Sequence, residues 1–139
     1  TWRPHRSLSE TRQFLSWLEA KQAEQKLEAY MLTYKDAIDR PIGMIESRST
    51  EHGVCLGFVL AKAHWGHGLM PEALEPIVNA AFQEKQVWRV YAFCDFQNAA
   101  SQRVLQKINM NCEGILRRWM THPNVSAEPR DCYCFAQVR

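Results

Sequence analysis

Residues 54–74 read VCLGFVLAKAHWGHGLMPEAL, and this stretch decides the fold. Its opening part, residues 54–60, is apolar and rich in β-branched and aromatic side chains, which predicts a buried strand. Gly66 and Gly68 then indicate a loop whose backbone closely approaches another group. From Leu69 onward, apolar residues recur with the period of a helix, and Pro71 fits only near its first turn. The stretch therefore predicts a strand, a glycine loop and a helix.

The glycine loop has two interpretations. A helix N-terminus offers unpaired N–H groups and the positive end of the helix dipole, and glycines let an anion reach the backbone. These properties indicate a phosphate-binding loop. A tight turn between strand and helix explains the same residues equally well. The loop lacks the Gly-Lys-Ser/Thr ending of a P-loop and the third glycine of a dinucleotide fold. The motif alone leaves both interpretations open.

The patterns along the whole chain predict helix, three strands, helix, strand, helix and two strands. Ser7 and Glu10 form a capping box for the first helix, which is expected to run to about residue 28. Leu15 and Trp17 belong to the apolar side of that helix. Asn98 is placed to cap the last helix. The expected strands are residues 29–34, 41–47, 54–60, 87–94, 110–121 and 131–138, and the later helices are residues 69–82 and 99–108.

Length, charge and cysteine content exclude several classes of protein. A chain of 139 residues is expected to form a single domain, residues 1–139. The 17 basic and 15 acidic residues nearly balance, which argues against a nucleic-acid or membrane partner. No apolar run has membrane-spanning length, and the five cysteines are odd in number and lack metal-ligand spacing. We therefore expect a cytoplasmic protein with reduced thiols and no metal site.

Four segments together resemble the GNAT acetyltransferases. They are LGFVL at 56–60, HWGHGLMPEAL at 64–74, NAASQRVLQKINM at 98–110 and EGILRR at 113–118. Within that superfamily the chain is most similar to the RimJ/RimL type of ribosomal-protein N-terminal acetyltransferase. The resemblance implies an α+β fold of three α/β layers. Its mixed, mostly antiparallel central sheet is splayed between residues 54–60 and 87–94, with helices on both faces.

The resemblance also predicts an N-terminal truncation. The first strand and first helix of a GNAT fold have no counterpart in this sequence, which begins at Thr1 without an initiator methionine. If the first strand is missing, a sheet edge is exposed, and its unpaired backbone groups favour pairing with another chain, as in a homodimer.

The resemblance implies that acetyl-CoA binds as co-substrate where the strands splay. A pantetheine chain can satisfy the backbone groups that such a gap leaves unpaired. The pyrophosphate would lie on the N–H groups of the glycine loop. Asn98 matches the family asparagine that contacts the pantetheine arm, although its capping role alone also explains it. The residues assigned to acetyl-CoA are Phe58, Val59, Leu60, Trp65, Gly66, His67, Gly68, Leu69, Met70, Asn98 and Ser101.

The implied reaction is direct attack of a primary amine on the thioester. Many GNAT enzymes use a tyrosine seven residues after the asparagine to assist the leaving thiolate, but Leu105 stands there. Ser101 matches the serine that RimL-like members place near the sulfur, where a hydroxyl can donate a hydrogen bond to the thiolate. An ordinary serine in the first turn of a helix is the other interpretation.

The general base has three candidates. Glu46, on a strand that leads to the active-site region, is the first candidate, followed by Asp131 and His122. Histidine has the most suitable pKa, but the position of His122 before Pro123 predicts a mobile loop. A chain of water molecules to bulk solvent is the alternative to any single base.

These assignments predict an acetyl-CoA-dependent N-acetyltransferase whose acceptor is a protein N-terminus, a small amine or an amino sugar. The alternative is a catalytically silent acyl-CoA-binding module, which the missing tyrosine favours. A nucleic-acid-binding module is disfavoured because lysine and arginine are spread along the chain without a basic patch. The sequence does not identify the acceptor, since one fold serves many acceptors.

Overall fold

The computed structural model describes residues 5–24 and 27–139. Their helices and strands follow one another in the predicted order. The helices are α1 (Leu8–Ala23), α2 (Leu69–Gln83) and α3 (Ala99–Lys107). The strands are β1 (Leu27–Leu32), β2 (Gly43–Thr50), β3 (Gly53–Leu60), β4 (Arg89–Asp95), β5 (Asn111–Thr121) and β6 (Pro129–Val138).

The six strands form one sheet in the order β1-β2-β3-β4-β6-β5. The β3–β4 pair is parallel, and every other neighbouring pair is antiparallel. This arrangement confirms the mixed, mostly antiparallel sheet. β1 and β5 are its edges. Pairing of an edge with a second copy of the chain stays a prediction.

Helices cover both faces of the sheet, as predicted. α2 and α3 lie on one face, where their buried side chains join alternate residues of the strands in one core. α1 packs against β1 on the other face, because Leu27 points away from Leu32, which contacts the core. The core consists of Ile45, Val54, Leu56, Met70, Leu74, Val78, Val87, Val90, Ala92, Cys94, Leu105, Ile108, Met110 and Phe135.

The first helix differs from its prediction in two respects. It ends at Ala23 rather than near residue 28, because Glu24 takes the C-cap position and its N–H bonds the carbonyls of the last turn. Of its apolar residues Leu18 is buried, whereas Leu15 and Trp17 remain 43% and 45% exposed. The predicted cap is confirmed, since the Glu10 N–H donates to Ser7 Oγ at 3.2 Å.

Two features are absent from the described ranges, residues 5–24 and 27–139. No helix there has the length and apolarity needed to cross a bilayer. No group of three or more histidine, cysteine, aspartate or glutamate side chains there could hold a metal ion.

Candidate functional site

The central feature of the site is a gap between β3 and β4. These strands pair over only three positions, Val54 with Val90, Cys55 with Tyr91 and Leu56 with Ala92. Residues 57–60 of β3 and 93–95 of β4 continue beyond this pairing without bonding each other. The structure therefore confirms the splay that the sequence predicted.

Strand alternation decides which backbone groups face the gap. The Ala61 N–H donates to the Ile42 carbonyl at 2.8 Å, on the β2 side. Because N–H directions alternate along a strand, Val59 also points toward β2, whereas Phe58 and Leu60 point into the gap. The Leu60 carbonyl there accepts the indole N–H of Trp65 at 2.7 Å. The N–H groups of Phe58 and Leu60 are thus oriented toward a ligand in the gap, and that of Val59 is not.

The glycine loop forms an open approach to the start of α2. Gly66 and Gly68 have φ angles of 84° and 77°, a left-handed conformation that favours glycine. A Cβ at either position would meet no atom within 4 Å. Gly68 is the N-cap of α2 and offers no side-chain cap, so the first N–H groups of the helix face outward. The open space at the loop and the outward-facing N–H groups at the start of α2 suit a bound anion.

Other loop residues assigned to acetyl-CoA differ in orientation. His67 is exposed and Leu69 is half-buried. The Met70 side chain is buried in the core, so only its backbone is available to a ligand. Trp65 donates its indole N–H to the Leu60 carbonyl, and half of its surface is exposed.

The second half of the predicted acetyl-CoA site is the start of α3. Because β3 and β4 are parallel, the helices that follow them begin at the same edge of the sheet, where the strands separate. Asn98 Oδ1 accepts the Ser101 N–H at 3.1 Å, which confirms the cap and leaves the side-chain NH2 group available. Ser101 lies one turn before the fully buried Leu105, on the inner side of the helix. Within the described residues, the Ser101 hydroxyl makes no hydrogen bond.

Glu46 lies on the face opposite α2 and α3. It pairs across the sheet with Gly57, the first residue of β3 beyond the parallel pairing. A Cβ on Gly57 would be 3.7 Å from Glu46 Oε2, so the carboxylate lies directly over this backbone. Arg48 Nη2 contacts the same oxygen at 3.0 Å. The carboxylate is half-buried and adjoins the gap.

The contacts of Asp131 indicate a structural role. Its Oδ1 accepts the backbone N–H of Arg118 at 2.9 Å, and its Oδ2 pairs with Arg117 Nη1 at 3.0 Å. The hydrogen bond from Arg118, with the pair to Arg117, holds the pKa of Asp131 below its ordinary value. A carboxylate stabilised in its charged form is a weak proton acceptor, which disfavours Asp131 as the base.

The His122 side chain is buried, and the mobility of its loop stays a prediction. Its Nε2 lies 3.4 Å from Cys132 Sγ and 4.0 Å from Asp95 Oδ2. Arg130 holds Asp95 by two hydrogen bonds, and all these side chains pack where β4 ends and β6 begins. Burial lowers the pKa of His122, and the Asp95 carboxylate offsets part of this effect. No local sequence pattern predicts this cluster, because its members are far apart along the chain.

The cysteines near the gap are protonated thiols rather than thiolates. Burial raises the pKa of Cys55 and of Cys134, and it raises the pKa of Cys94 to about 12. None of these groups is a thiolate at neutral pH, so none supplies a ready nucleophile. The arrangement therefore suits direct attack by a substrate rather than an acyl-cysteine intermediate.

Several known proteins are similar to this chain. A family model described as an acetyltransferase (GNAT) domain matches residues 1–111. The probable N-acetyltransferase YjcK of Bacillus subtilis (strain 168) is 37% identical over 84 residues, which are 58% of this chain and 46% of YjcK. The chain thus matches less than half the length of that relative.

Solved structures show the same fold at low identity. Mycobacterium smegmatis RimJ in complex with CoA-disulfide aligns with a TM-score of 0.81 and 20% identity, over 99% of this chain and 68% of that chain. The microcin self-immunity acetyltransferase MccE in complex with acetyl-CoA and AMP aligns with a TM-score of 0.84 and 15% identity, over 96% and 72%. Because one fold serves many functions, the shared fold does not identify an acceptor.

The buried histidine predicts a pH-dependent stability. The folded protein disfavours protonated His122, so the unfolded chain binds more protons as the pH falls below the ordinary histidine pKa of 6.5. The free energy of unfolding should therefore decrease between about pH 7 and pH 5. The pKa of Asp95 is also depressed, but this affects the free energy of unfolding only below the ordinary aspartate value of 3.8, outside this range.

Urea unfolding at several pH values checks this prediction. His122→Asn should flatten the dependence, whereas His52→Asn, at an exposed histidine, should retain it. An identical pH dependence in the wild type and both variants would contradict the assignment.

Proposed function

The chain belongs to the GNAT acetyltransferase family, and we propose that it transfers the acetyl group of acetyl-CoA to a primary amine by direct attack. The observation that carries this proposal is the β3–β4 gap, at whose edge the glycine loop and the start of α3 meet. The acceptor would be a protein N-terminus, a small amine or an amino sugar. Glu46 and Ser101 would act on the reacting groups from opposite faces of the sheet.

The residues around the gap fit acetyl-CoA. The N–H groups of residues 66–70 would hold the pyrophosphate, because the loop is open and the N-terminus of α2 has no side-chain cap. The backbone of Phe58 and Leu60 would bind the pantetheine arm as a neighbouring strand would. The free NH2 group of Asn98 would add a donor on the other side.

Each step of the reaction has a proposed group. Glu46 accepts the proton of the acceptor ammonium, so that the nitrogen lone pair can form the N–C bond. An N–H of Phe58 or Leu60 donates to the carbonyl oxygen as negative charge develops there. Ser101 donates a hydrogen bond to the thiolate as the C–S bond breaks, and the thiolate takes the second proton that the acylated nitrogen releases.

One observation favours the alternative, an acyl-CoA-binding module without turnover. Leu105, at the family tyrosine position, is fully buried in the core, so no proton donor stands at that point of α3. Thiol release from acetyl-CoA in the presence of amines separates the two functions. Binding of acetyl-CoA without thiol release, over a broad set of amines, would favour the module.

Gly66→Val should weaken acetyl-CoA binding at least about tenfold, measured by calorimetry. The branched side chain would occupy the open approach to the loop, and it would be strained at a φ of 84°. Gly114→Val is the matched control, because Gly114 also has a positive φ and open space but lies on β5. Unchanged affinity in Gly66→Val would refute the loop as the phosphate site.

Ser101→Ala should lower kcat about tenfold while the Kd for acetyl-CoA stays unchanged. The lost hydroxyl acts only on the developing thiolate, so the ground state is unaffected. Ser16→Ala, at an exposed serine of α1, should leave both constants unchanged. An unchanged kcat in Ser101→Ala would show that Ser101 has no role in turnover and is an ordinary serine in the first turn of a helix.

Glu46→Gln should lower kcat/KM for the amine about 100-fold at neutral pH, because the amide cannot accept the ammonium proton. Steady-state assay of thiol release measures this loss, and calorimetry should show unchanged acetyl-CoA affinity. Glu75→Gln, at an exposed position of α2, serves as the control. A loss below about threefold would instead favour proton transfer through water.

A further inference from the structure

A row of aromatic side chains lies on the same face of the sheet as Glu46. Tyr91 and Phe93 alternate with the core residues of β4 and therefore point to the opposite face from α2 and α3. Their rings meet edge to face with centroids 5.4 Å apart. Trp119 of β5 extends the row, with its ring centroid 5.2 Å from that of Phe93 and 50% of its surface exposed. Tyr91 is buried and Phe93 is half-buried, so Trp119 supplies most of the aromatic surface that solvent reaches.

An irregularity in β5 places Trp119 in this row. Between the pairs Leu116–Cys132 and Met120–Arg130, β5 advances four residues while β6 advances two. The extra residues bulge out, and Arg118 within the bulge has a φ of 48°, which is uncommon for a residue with a side chain. The bulge directs Trp119 across β6 toward β4.

Asp131 holds this bulge in place. Its carboxylate accepts the Arg118 backbone N–H and pairs with the Arg117 side chain, so it contacts both residues that precede Trp119. The carboxylate thereby stabilises the unusual conformation of Arg118. Asp131, a candidate base in the sequence, is in the structure a positioning residue for Trp119.

The aromatic row faces the open side of the β3–β4 gap. Phe93 and Gly57 are the first residues beyond the last parallel pair, Leu56 with Ala92, so they lie across the gap from each other. Gly57 is exposed and carries no side chain, and the Glu46 carboxylate lies over it. The Glu46 carboxylate thus borders the gap from the β3 side, and the Phe93–Trp119 pair borders it from the β4 side. We call the space between them the cleft.

We propose that this cleft selects a primary amine attached through a short linker to a flat aromatic ring. The ring would pack on Phe93 and Trp119 while the ammonium group lies at Glu46. Aromatic rings favour edge-to-face and offset contacts with one another, and Trp119 keeps half of its surface exposed. This inference rests on the proposed acetyl transfer and names the class of acceptor for it.

A matched pair of acceptors tests the inference. 2-Phenylethylamine and 2-cyclohexylethylamine have the same linker and similar apolar bulk, but only the first has a flat π-system. In the thiol-release assay, kcat/KM should be about tenfold higher for the phenyl compound. Equal values for the two amines would overturn the inference.

Variants of the row test whether it causes the preference for 2-phenylethylamine over 2-cyclohexylethylamine. Trp119→Ala should abolish the preference, whereas Trp119→Phe should keep most of it. Trp88→Ala, at an exposed tryptophan just before β4, should leave the preference unchanged. A preference that survives in Trp119→Ala would show that this row does not contact the acceptor.

Asp131 provides a separate test of positioning. Asp131→Ala should reduce the preference by raising KM for 2-phenylethylamine more than KM for 2-cyclohexylethylamine. Asp131→Asn, which keeps an oxygen for the Arg118 N–H, should restore the preference. Equal KM changes for both amines in Asp131→Ala would exclude the positioning role.

A binding measurement separates failure of this inference from failure of the proposed function. Calorimetric titration of both amines into the chain saturated with CoA requires no turnover. Tighter binding of 2-phenylethylamine without thiol release would support the aromatic subsite and refute the transferase. Thiol release with equal affinities would support the transferase and refute the subsite.

Discussion

The short parallel pairing between β3 and β4 is the constraint on which the site depends. Each of these strands keeps an antiparallel partner along its length, β2 for β3 and β6 for β4. The two strands can therefore diverge after three positions without leaving the rest of the sheet unpaired. Parallel strands also bring the helices that follow them to one edge. The gap and the two helix N-termini are thus consequences of one topological feature.

Strand alternation then gives the two faces of the sheet different chemistry. Phe58 belongs to the face that packs on α2 and α3, whereas Gly57, one residue earlier, lies on the face of Glu46. On the first face the glycine loop and Ser101 surround the gap. On the second face lie a carboxylate and an aromatic row. This division is why we place acetyl-CoA on one face and the acceptor on the other.

Local sequence patterns predicted the parts of the structure that depend on neighbouring residues. The order of elements, the cap by Asn98 and the open glycine loop follow from periodicity, capping chemistry and backbone freedom within a few residues. Leu15 and Trp17 were misjudged because an apolar residue in a helix does not reveal how much of the helix its neighbours cover. Burial depends on the whole fold.

The parts that the sequence did not predict depend on contacts between distant residues. Arg130 and Asp95 are 35 positions apart, and this pair helps to enclose His122 in a buried cluster. Trp119 reaches Phe93 only because β5 bulges. The bulge residue with the positive φ is Arg118, so no glycine or proline marks this bulge in the sequence. Register irregularities of this kind depend on tertiary contacts such as those of Asp131.

The two halves of the site also differ in how substitution can change them. The proposed acetyl-CoA half uses backbone N–H groups, glycines and a helix N-terminus, which most side-chain changes leave intact. The proposed acceptor half uses side chains, and Trp119 in particular is held by a bulge that a few residues control. Changes in the second half can therefore alter the acceptor while the fold and the first half persist. This asymmetry agrees with the general observation that one fold serves many functions.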